Sequence, residues 1–106
     1  MIYTTSSHIA GKKITRTHGL VRGNAVRARH LGRDILAGLK MLVGGEIEEY
    51  TKLLAESRQQ AIDRMLEDAK SMGANAVVDV RFATSLIAKM AAEIMSYGTA
   101  VTLTDE

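Results

Sequence analysis

Three histidines are the residues of this sequence best suited to bind a transition metal: His8, His18 and His30. Neutral imidazole is a common metal ligand, but zinc sites within one chain are signalled by close pairs such as C-x2-C or H-x3-H, and the sequence has neither. A ring of identical subunits can bring one histidine from each copy to its axis. A divalent transition metal is therefore one interpretation, and ordinary surface or strand histidines are the favoured one.

Arginines, which bind phosphate oxygens, are concentrated in the N-terminal half. Residues 1–40 contain eight Lys or Arg and one acid, whereas residues 41–106 contain six against eleven acids. The candidate anion-binding residues are Arg16, Arg22, Arg27, Arg29 and Arg33, joined by Lys12 and Lys13 if the ligand is a polyanion such as nucleic acid. Alternatively, surfaces of opposite charge meet within a subunit or between subunits. The alternative is favoured because no aromatic residue for base stacking lies among these arginines.

Methionine thioethers suit soft metals such as copper(I), and Met41, Met65, Met72, Met90 and Met95 are available. Met65 and Met72 follow a helical apolar spacing, however, and methionine commonly fills gaps in cores. Core packing is the favoured interpretation.

Catalysis has little support in the sequence. Asp34 beside Arg33, or Asp79 near Arg81, could supply a general base, but such pairs are usually structural or solvated. The sequence has no cysteine and no nucleophile elbow, phosphate loop or metalloprotease motif. We therefore expect a protein without enzymatic activity.

The composition predicts a single soluble domain spanning residues 1–106. Hydrophobic residues make up 46% of the chain but aromatic residues only 4%, so Ala, Val, Ile, Leu and Met must fill the core. A chain of this size buries only about two-thirds of its unfolded surface and gains from packing against copies of itself. No segment approaches the roughly 18 apolar residues of a membrane span, which predicts a cytoplasmic protein.

The first elements are predicted to be strands. The segment "MIYTTSS" has strand character, and "AGKK" predicts a turn with Gly11 at positive φ, so a hairpin is expected here. Residues 14–29 alternate loosely between apolar and polar side chains and predict a long strand. Within it, Gly19 and Gly23 indicate a bulge, a bend or a close approach of another backbone.

Two amphipathic helices are predicted next. "HLGRDILAGLKMLVGG" predicts a short helix that stops at the glycine pair. Residues 46–72 predict a long one, with an apolar face formed by Ile47, Tyr50, Leu54, Ala61, Met65, Ala69 and Met72. A helix of about 26 residues is ~39 Å long, longer than the core of so small a domain, so part of it is expected to pack outside its own subunit.

The C-terminal third is predicted to begin with a helix cap at Gly73 and a turn at Asn75. A strand follows, with Val78 and Val80 on one face and Val77, Asp79 and Arg81 on the other. Residues 85–95 favour a helix on propensity alone, and "YGTAVTLT" is typical of a strand.

Four motifs in order, "GRDILAGLKMLVGGE", "YTKLLAESRQQAIDRM", "GANAVVDVRF" and "YGTAV", resemble those of the YbjQ-like family. These are small bacterial and archaeal proteins described as heavy-metal-binding domains. The resemblance implies an α+β subunit, with a small antiparallel sheet and one short and one long helix, assembled into a ring-shaped homopentamer. It also implies that "AAEIMSYGTAVTL" is the last strand, and this expectation replaces the helix predicted for residues 85–95.

Together with this resemblance, the sequence predicts a non-enzymatic, cytoplasmic homo-oligomer, a pentamer as the resemblance implies, that binds a metal ion or a small ligand at its subunit interfaces. The alternative is a protein that binds a polyanion or nucleic acid through its basic N-terminal half.

Overall fold

The fold is an α+β arrangement of one four-stranded mixed sheet and a long helix, seen in a computed structural model that describes residues 1–28, 47–88 and 91–106. The elements are β1 (Ile2–Tyr3), β2 (Lys12–Ala28), α1 (Ile47–Ser71), β3 (Ala76–Ala88) and β4 (Ala91–Asp105). The strand order is β1-β3-β4-β2. The short helix predicted within residues 30–45 lies outside the described residues.

The sheet differs from the predicted antiparallel one at its edge. The strands β2, β4 and β3 pair antiparallel, but β1 pairs parallel with β3, through Ile2 opposite Ala76 and Tyr3 opposite Val77. The predicted hairpin between β1 and β2 is therefore wrong, since these strands lie at opposite edges of the sheet. Gly11 does have the positive φ expected of it, at 78°.

The helix predicted from propensity for residues 85–95 is also wrong, and the strand implied by the family resemblance is confirmed. β3 and β4 pair along this region, with Ala83 opposite Met95 and Thr84 opposite Ile94. Ile94 is buried with Ala25 and Ala61, so sheet pairing and burial outweigh the weak helical preference of the local sequence.

The long helix is confirmed almost to the residue, and it packs mainly against β2 and β4. Its buried face includes Ser57, Ala61, Met65 and Ala69. Met72 is an exception to the predicted face: α1 ends at Ser71 and the Met72 side chain is 42% exposed.

The C-terminus of α1 has the predicted glycine cap. Gly73 has φ 86°, the Gly73 N–H donates to the Lys70 carbonyl, and the Ala74 N–H donates to the Ala69 carbonyl at 3.1 Å. This pair of bonds is the Schellman motif, which satisfies carbonyls at the end of the helix.

Both predictions for the glycines of β2 are confirmed. Gly19 has φ 127° at a register shift between β2 and β4, which is a bulge. The helix backbone lies directly against Gly23: a β-carbon built there would lie 2.0 Å from the Ala61 carbonyl oxygen. Only glycine leaves room for α1 at that point.

The core has two sides. The cluster between sheet and helix includes Val21, Met65, Val77, Val80 and Ala100. We call the opposite side of the sheet the outer face; a second cluster there contains Ala76, Val78, Val101 and Leu103, with Ile9 packed against it. Val77 and Val80 thus share a face, and Val78 lies on the other, so the simple alternation predicted for this strand is wrong.

Candidate functional site

A bulge in β3 breaks the alternation of that strand and decides which side chains reach the outer face. Val78 pairs with Thr99, but the next described pair is Arg81 with Tyr97, so Asp79 and Val80 together oppose Gly98. Asp79 has φ 55°, a left-handed conformation that is unusual outside glycine. Without the extra residue, Val80 would pair with Tyr97. The bulge instead turns Val80 toward α1 and Arg81 toward the outer face.

Gly98 makes room for this bulge. A β-carbon at Gly98 would lie 2.8 Å from the Val77 Cγ1 atom and 2.9 Å from the Val78 carbonyl oxygen. The glycine of the "YGTAV" motif therefore permits a close approach between β3 and β4 at the place where the register changes.

The N-terminal segment holds the bulge in place. The Asp79 N–H donates to the Ser6 carbonyl and the Val80 N–H to the Thr4 carbonyl, each at 3.0 Å. The Arg81 Nη1 donates to the Thr5 carbonyl at 2.8 Å and to the Val80 carbonyl at 2.9 Å. The bulge amides are thus satisfied, and one end of the Arg81 guanidinium is fixed.

Arg22, Tyr97 and Arg81 form a row across three adjacent strands. Both arginines pair in register with Tyr97, one from β2 and one from β3. The residues flanking Tyr97 face α1, since Ser96 donates to the Ala61 carbonyl at 2.8 Å, so the row lies on the outer face. Both arginines are exposed and Tyr97 is half-buried. We call these three residues the Arg-Tyr-Arg row.

The predicted anion-binding residues do not meet on one surface. Arg16 pairs with Thr102, and the alternation of side chains along β4 puts Thr102 on the same side of the sheet as α1. Arg22 pairs with Tyr97 on the outer face. Arg27 pairs with Ala92, and Arg29 and Arg33 lie outside the described residues. Lys13 is exposed. Polyanion binding by this set stays a prediction.

Lys12 has a partner within its own chain. Its Nζ forms a salt bridge with the Asp105 Oδ1 at 2.5 Å. The hydrogen bond from Lys12, together with its positive charge, lowers the pKa of the Asp105 carboxyl. This pair links the first residue of β2 to the last residue of β4, which are opposite each other in the sheet.

His8 and His18, the two candidate metal ligands among the described residues, lie in different segments. His8 is exposed in the segment between β1 and β2, with its Nδ1 3.4 Å from the Ser7 Oγ. His18 is half-buried in β2, and its Nε2 lies 2.7 Å from the Thr102 Oγ1. His30 is outside the described residues. Among residues 1–28, 47–88 and 91–106, no group of three His, Cys, Asp or Glu is placed to hold a metal ion.

The methionines and the two Asp–Arg pairs are the remaining candidates from the sequence. Met65 is fully buried and serves the core, as favoured. Met95 is half-buried and pairs with Asn24 and Ala83 in the sheet. Met41 and Met90 lie outside the described residues. The same is true of Arg33 and Asp34. Asp79 and Arg81 form no salt bridge with each other.

None of the helices in the described part of the chain is long and apolar enough to cross a membrane.

Comparison with known proteins gives the family. A family model described as "Putative heavy-metal-binding" and named for YbjQ matches residues 1–104. The chain belongs to the YbjQ family. Similar relatives include a UPF0145 protein of Methanosarcina acetivorans, 57% identical over 95% of each chain, and the UPF0145 protein DET1617 of Dehalococcoides mccartyi, 56% identical over 95% of this chain and 97% of the relative. These names state no enzymatic activity.

A solved structure has the same fold. A protein of unknown function from Pediococcus pentosaceus, assigned to the DUF74 family, superposes with a TM-score of 0.62 and covers 98% of both chains at 14% identity. At that identity the likeness concerns the fold alone. It supports the α+β architecture on which the bulge and the Arg-Tyr-Arg row depend.

Sequence reasoning missed the Arg-Tyr-Arg row because its members are far apart in the chain. In the sequence, Arg22 belongs to the basic N-terminal half, Arg81 to a candidate carboxylate pair, and Tyr97 only to a family motif. Their meeting depends on strand order and on the Asp79 bulge, for which the sequence offers one weak signal: aspartate tolerates the left-handed region better than most residues.

Proposed function

We propose that the chain is a non-enzymatic protein of the cytoplasm that assembles into a homopentamer and binds a divalent transition metal or a small ligand where its subunits meet. The observation that carries the proposal is the shape of the subunit. Its radius of gyration is 17.2 Å and its dimensions are 55 × 22 × 16 Å. A compact domain of this length has a radius of gyration of about 13 Å. So extended a shape leaves surface that packing against other copies can bury.

Open edges and exposed apolar residues support self-association. Within the described residues, β2 pairs only with β4, so one edge of a 17-residue strand is open. Open edges are sites where another chain can add. Val26 and Phe82 are each at least 45% exposed. Contact between copies would cover these side chains, and the number of subunits, five, follows from the resemblance to the YbjQ family.

Charge also favours contact between copies. The N-terminal 40 residues are strongly basic and the remainder is acidic. In a ring, each subunit presents one surface to one neighbour and a different surface to the other, so the open edge of β2, whose charged residues are all basic, would be steered toward an acidic surface of the neighbouring copy.

Ring symmetry is how the proposed metal site would be built. A symmetric ring repeats each histidine once per subunit, and residues brought together around the axis can supply the three or four ligands that a transition metal needs. The His8 side chain is exposed, so it could coordinate a metal ion together with side chains of other copies.

Native mass spectrometry tests the assembly. We expect a species of five 11.5 kDa chains at micromolar concentration, and a lone monomer would contradict the proposal. Phe82→Glu and Val26→Glu should shift the population toward smaller species. Met72→Glu, at another exposed apolar residue beyond the end of α1, is the matched control and should leave the assembly intact.

Calorimetric titration with zinc, copper and nickel tests the metal. We expect saturable heat that diminishes at low pH, because imidazole must be neutral to coordinate. The triple variant with His8, His18 and His30 changed to Ala should lose that heat. Unchanged heat in this variant would remove histidine coordination from the proposal.

A further inference from the structure

We propose that the Arg-Tyr-Arg row is a binding site for a small ligand that combines a planar ring with a phosphate group, of which a nucleoside monophosphate is the simplest example. The ring would stack on the Tyr97 phenol, and the phosphate would bind the guanidinium groups beside it. This inference concerns one face of a single chain and does not depend on the metal or on the number of subunits.

The charges of the row suit an anion. Neighbouring strands lie about 4.8 Å apart, so Arg22 and Arg81 are the residues directly beside Tyr97 on the two adjacent strands. In the described part of the chain, neither arginine forms a salt bridge with a carboxylate. Glu93 shares the outer face, but it lies four residues along β4 from Tyr97, about 13 Å away. Asp79 is closer, in the bulge two residues before Arg81, but it forms no salt bridge with Arg81, so both arginines of the row keep a positive charge for a ligand.

The two arginines have different roles in this site. The Arg81 Nη1 is held by the Thr5 and Val80 carbonyls, while its Nε and Nη2 groups remain as donors. A guanidinium that is already held in this way loses less conformational entropy when it binds a ligand than a freely rotating one does. Arg22 is exposed on β2 and has no such anchor in the described residues, so it can adjust to the position of the phosphate.

The surroundings of Tyr97 suit a ring. Leu20 lies two residues before Arg22 on the same strand, pairs with Thr99, and is 66% exposed. An aromatic face with an exposed leucine nearby offers apolar contact for a base, and stacking of a base on an aromatic side chain is tolerant of base identity. The phosphate and the ring would thus bind adjacent but chemically different parts of one face.

The backbone is arranged to create this row. A regular strand would place Val80, not Arg81, opposite Tyr97, and the row exists only because Asp79 adopts a left-handed conformation opposite Gly98. Residues in sparsely populated conformations are strained and are concentrated at functional sites. The N-terminal carbonyls of Thr4 and Ser6 hold this conformation through the bulge amides.

The test is titration of the full chain with adenosine monophosphate, monitored by calorimetry and by NMR of the Tyr97 ring. We expect saturable binding with a shift of the Tyr97 ring resonances, and at least tenfold weaker binding of adenosine and of inorganic phosphate. Arg22→Gln and Tyr97→Leu should each weaken binding at least tenfold. Arg16→Gln removes the same charge from the other face of the sheet and should leave binding unchanged.

Three results would overturn the inference. Absence of saturation by adenosine monophosphate at millimolar concentration would remove the site. Equal losses in Arg16→Gln and Arg22→Gln would show general attraction to a basic protein rather than a site. Inorganic phosphate binding as tightly as the nucleotide would remove the ring from the proposed ligand. Circular dichroism of each variant checks the fold, and Tyr97→Phe, which keeps the ring, should retain binding if stacking is the interaction.

Discussion

Gly23 of the sheet lies directly against the helix backbone at Ala61. A β-carbon at Gly23 would lie 2.0 Å from the Ala61 carbonyl oxygen and 2.3 Å from the Met65 backbone nitrogen. Ser96, which pairs with Gly23 in the sheet, donates its hydroxyl to the same Ala61 carbonyl. Small residues on both elements therefore let the helix backbone lie directly on the strands.

Gly23→Ala should destabilise the protein by about 3 kcal/mol or more, because the added methyl group meets backbone atoms that cannot rotate away. Urea denaturation followed by circular dichroism measures the change. Ala61→Gly should not rescue the variant, since the obstructing atoms belong to the backbone. Asn24→Ala, at the next position of β2, is the control, and a loss there as large as that in Gly23→Ala would contradict this explanation.

Asp79 should tolerate glycine and asparagine but not a β-branched residue. Its φ of 55° is accessible to glycine and acceptable for asparagine, whereas valine is strongly disfavoured there. We expect Asp79→Val to lose about 1–3 kcal/mol of unfolding free energy and Asp79→Gly to change it by less than about 1 kcal/mol. Thermal denaturation of the three variants measures this. Equal stability of the valine and asparagine variants would show that the backbone conformation does not limit this position.

Asn75 should prove more important than an ordinary turn residue. Its side-chain amide donates to the Leu103 carbonyl at 2.9 Å, and its side-chain oxygen accepts from the Leu103 N–H at 2.7 Å. The side chain thus pairs with β4 just before β3 begins. Asn75→Ala should cost about 1–3 kcal/mol because both Leu103 groups lose this partner.

Asn75→Asp separates these two bonds. The carboxylate still accepts from the Leu103 N–H but has no donor for the Leu103 carbonyl, so we expect a loss intermediate between the native protein and Asn75→Ala near neutral pH. Equilibrium denaturation in urea compares the three proteins. An aspartate variant no more stable than the alanine variant would show that the bond to the carbonyl decides the effect.

The parts of the fold that the sequence predicts well depend on local periodicity. The apolar spacing of residues 46–72 defined α1, and Gly73 defined its end, because a 3.6-residue period and a left-handed cap are both properties of a short segment. Ser57 fills the gap in the apolar face between Leu54 and Ala61, which hydrophobicity alone does not reveal.

The parts that it predicts poorly depend on distant contacts. β1 has strand character, but nothing local indicates that it pairs with β3 rather than with β2. One residue in a left-handed conformation at Asp79 reverses the faces of Val80 and Arg81, so the "VVDVRF" segment violates the alternation on which its prediction rested. The candidate ligand site was missed for the same reason, since its three residues come from three strands.

Met65 and Met72 should respond very differently to truncation, although both were predicted on one helix face. Met65 is fully buried against Val21 and Val77, whereas Met72 follows the end of α1. We expect Met65→Ala to cost about 2–5 kcal/mol and Met72→Ala less than about 0.5 kcal/mol. Denaturant titration of the two variants measures the difference, and comparable losses would contradict the placement of the helix end.

The Lys12–Asp105 pair should make a small, pH-dependent contribution to stability. The hydrogen bond and the charge of Lys12 lower the pKa of Asp105 below its ordinary value of 3.8, so folding favours the ionised carboxylate. The contribution is therefore present above pH 4 and is lost as the pH falls through the lowered pKa of the folded protein. NMR titration of the Asp105 carboxyl carbon measures this pKa directly. In Lys12→Gln the pKa should rise toward 3.8, whereas in Lys13→Gln, where the neighbouring lysine is changed, it should remain low; an Asp105 pKa unaltered by Lys12→Gln would show that another group lowers it.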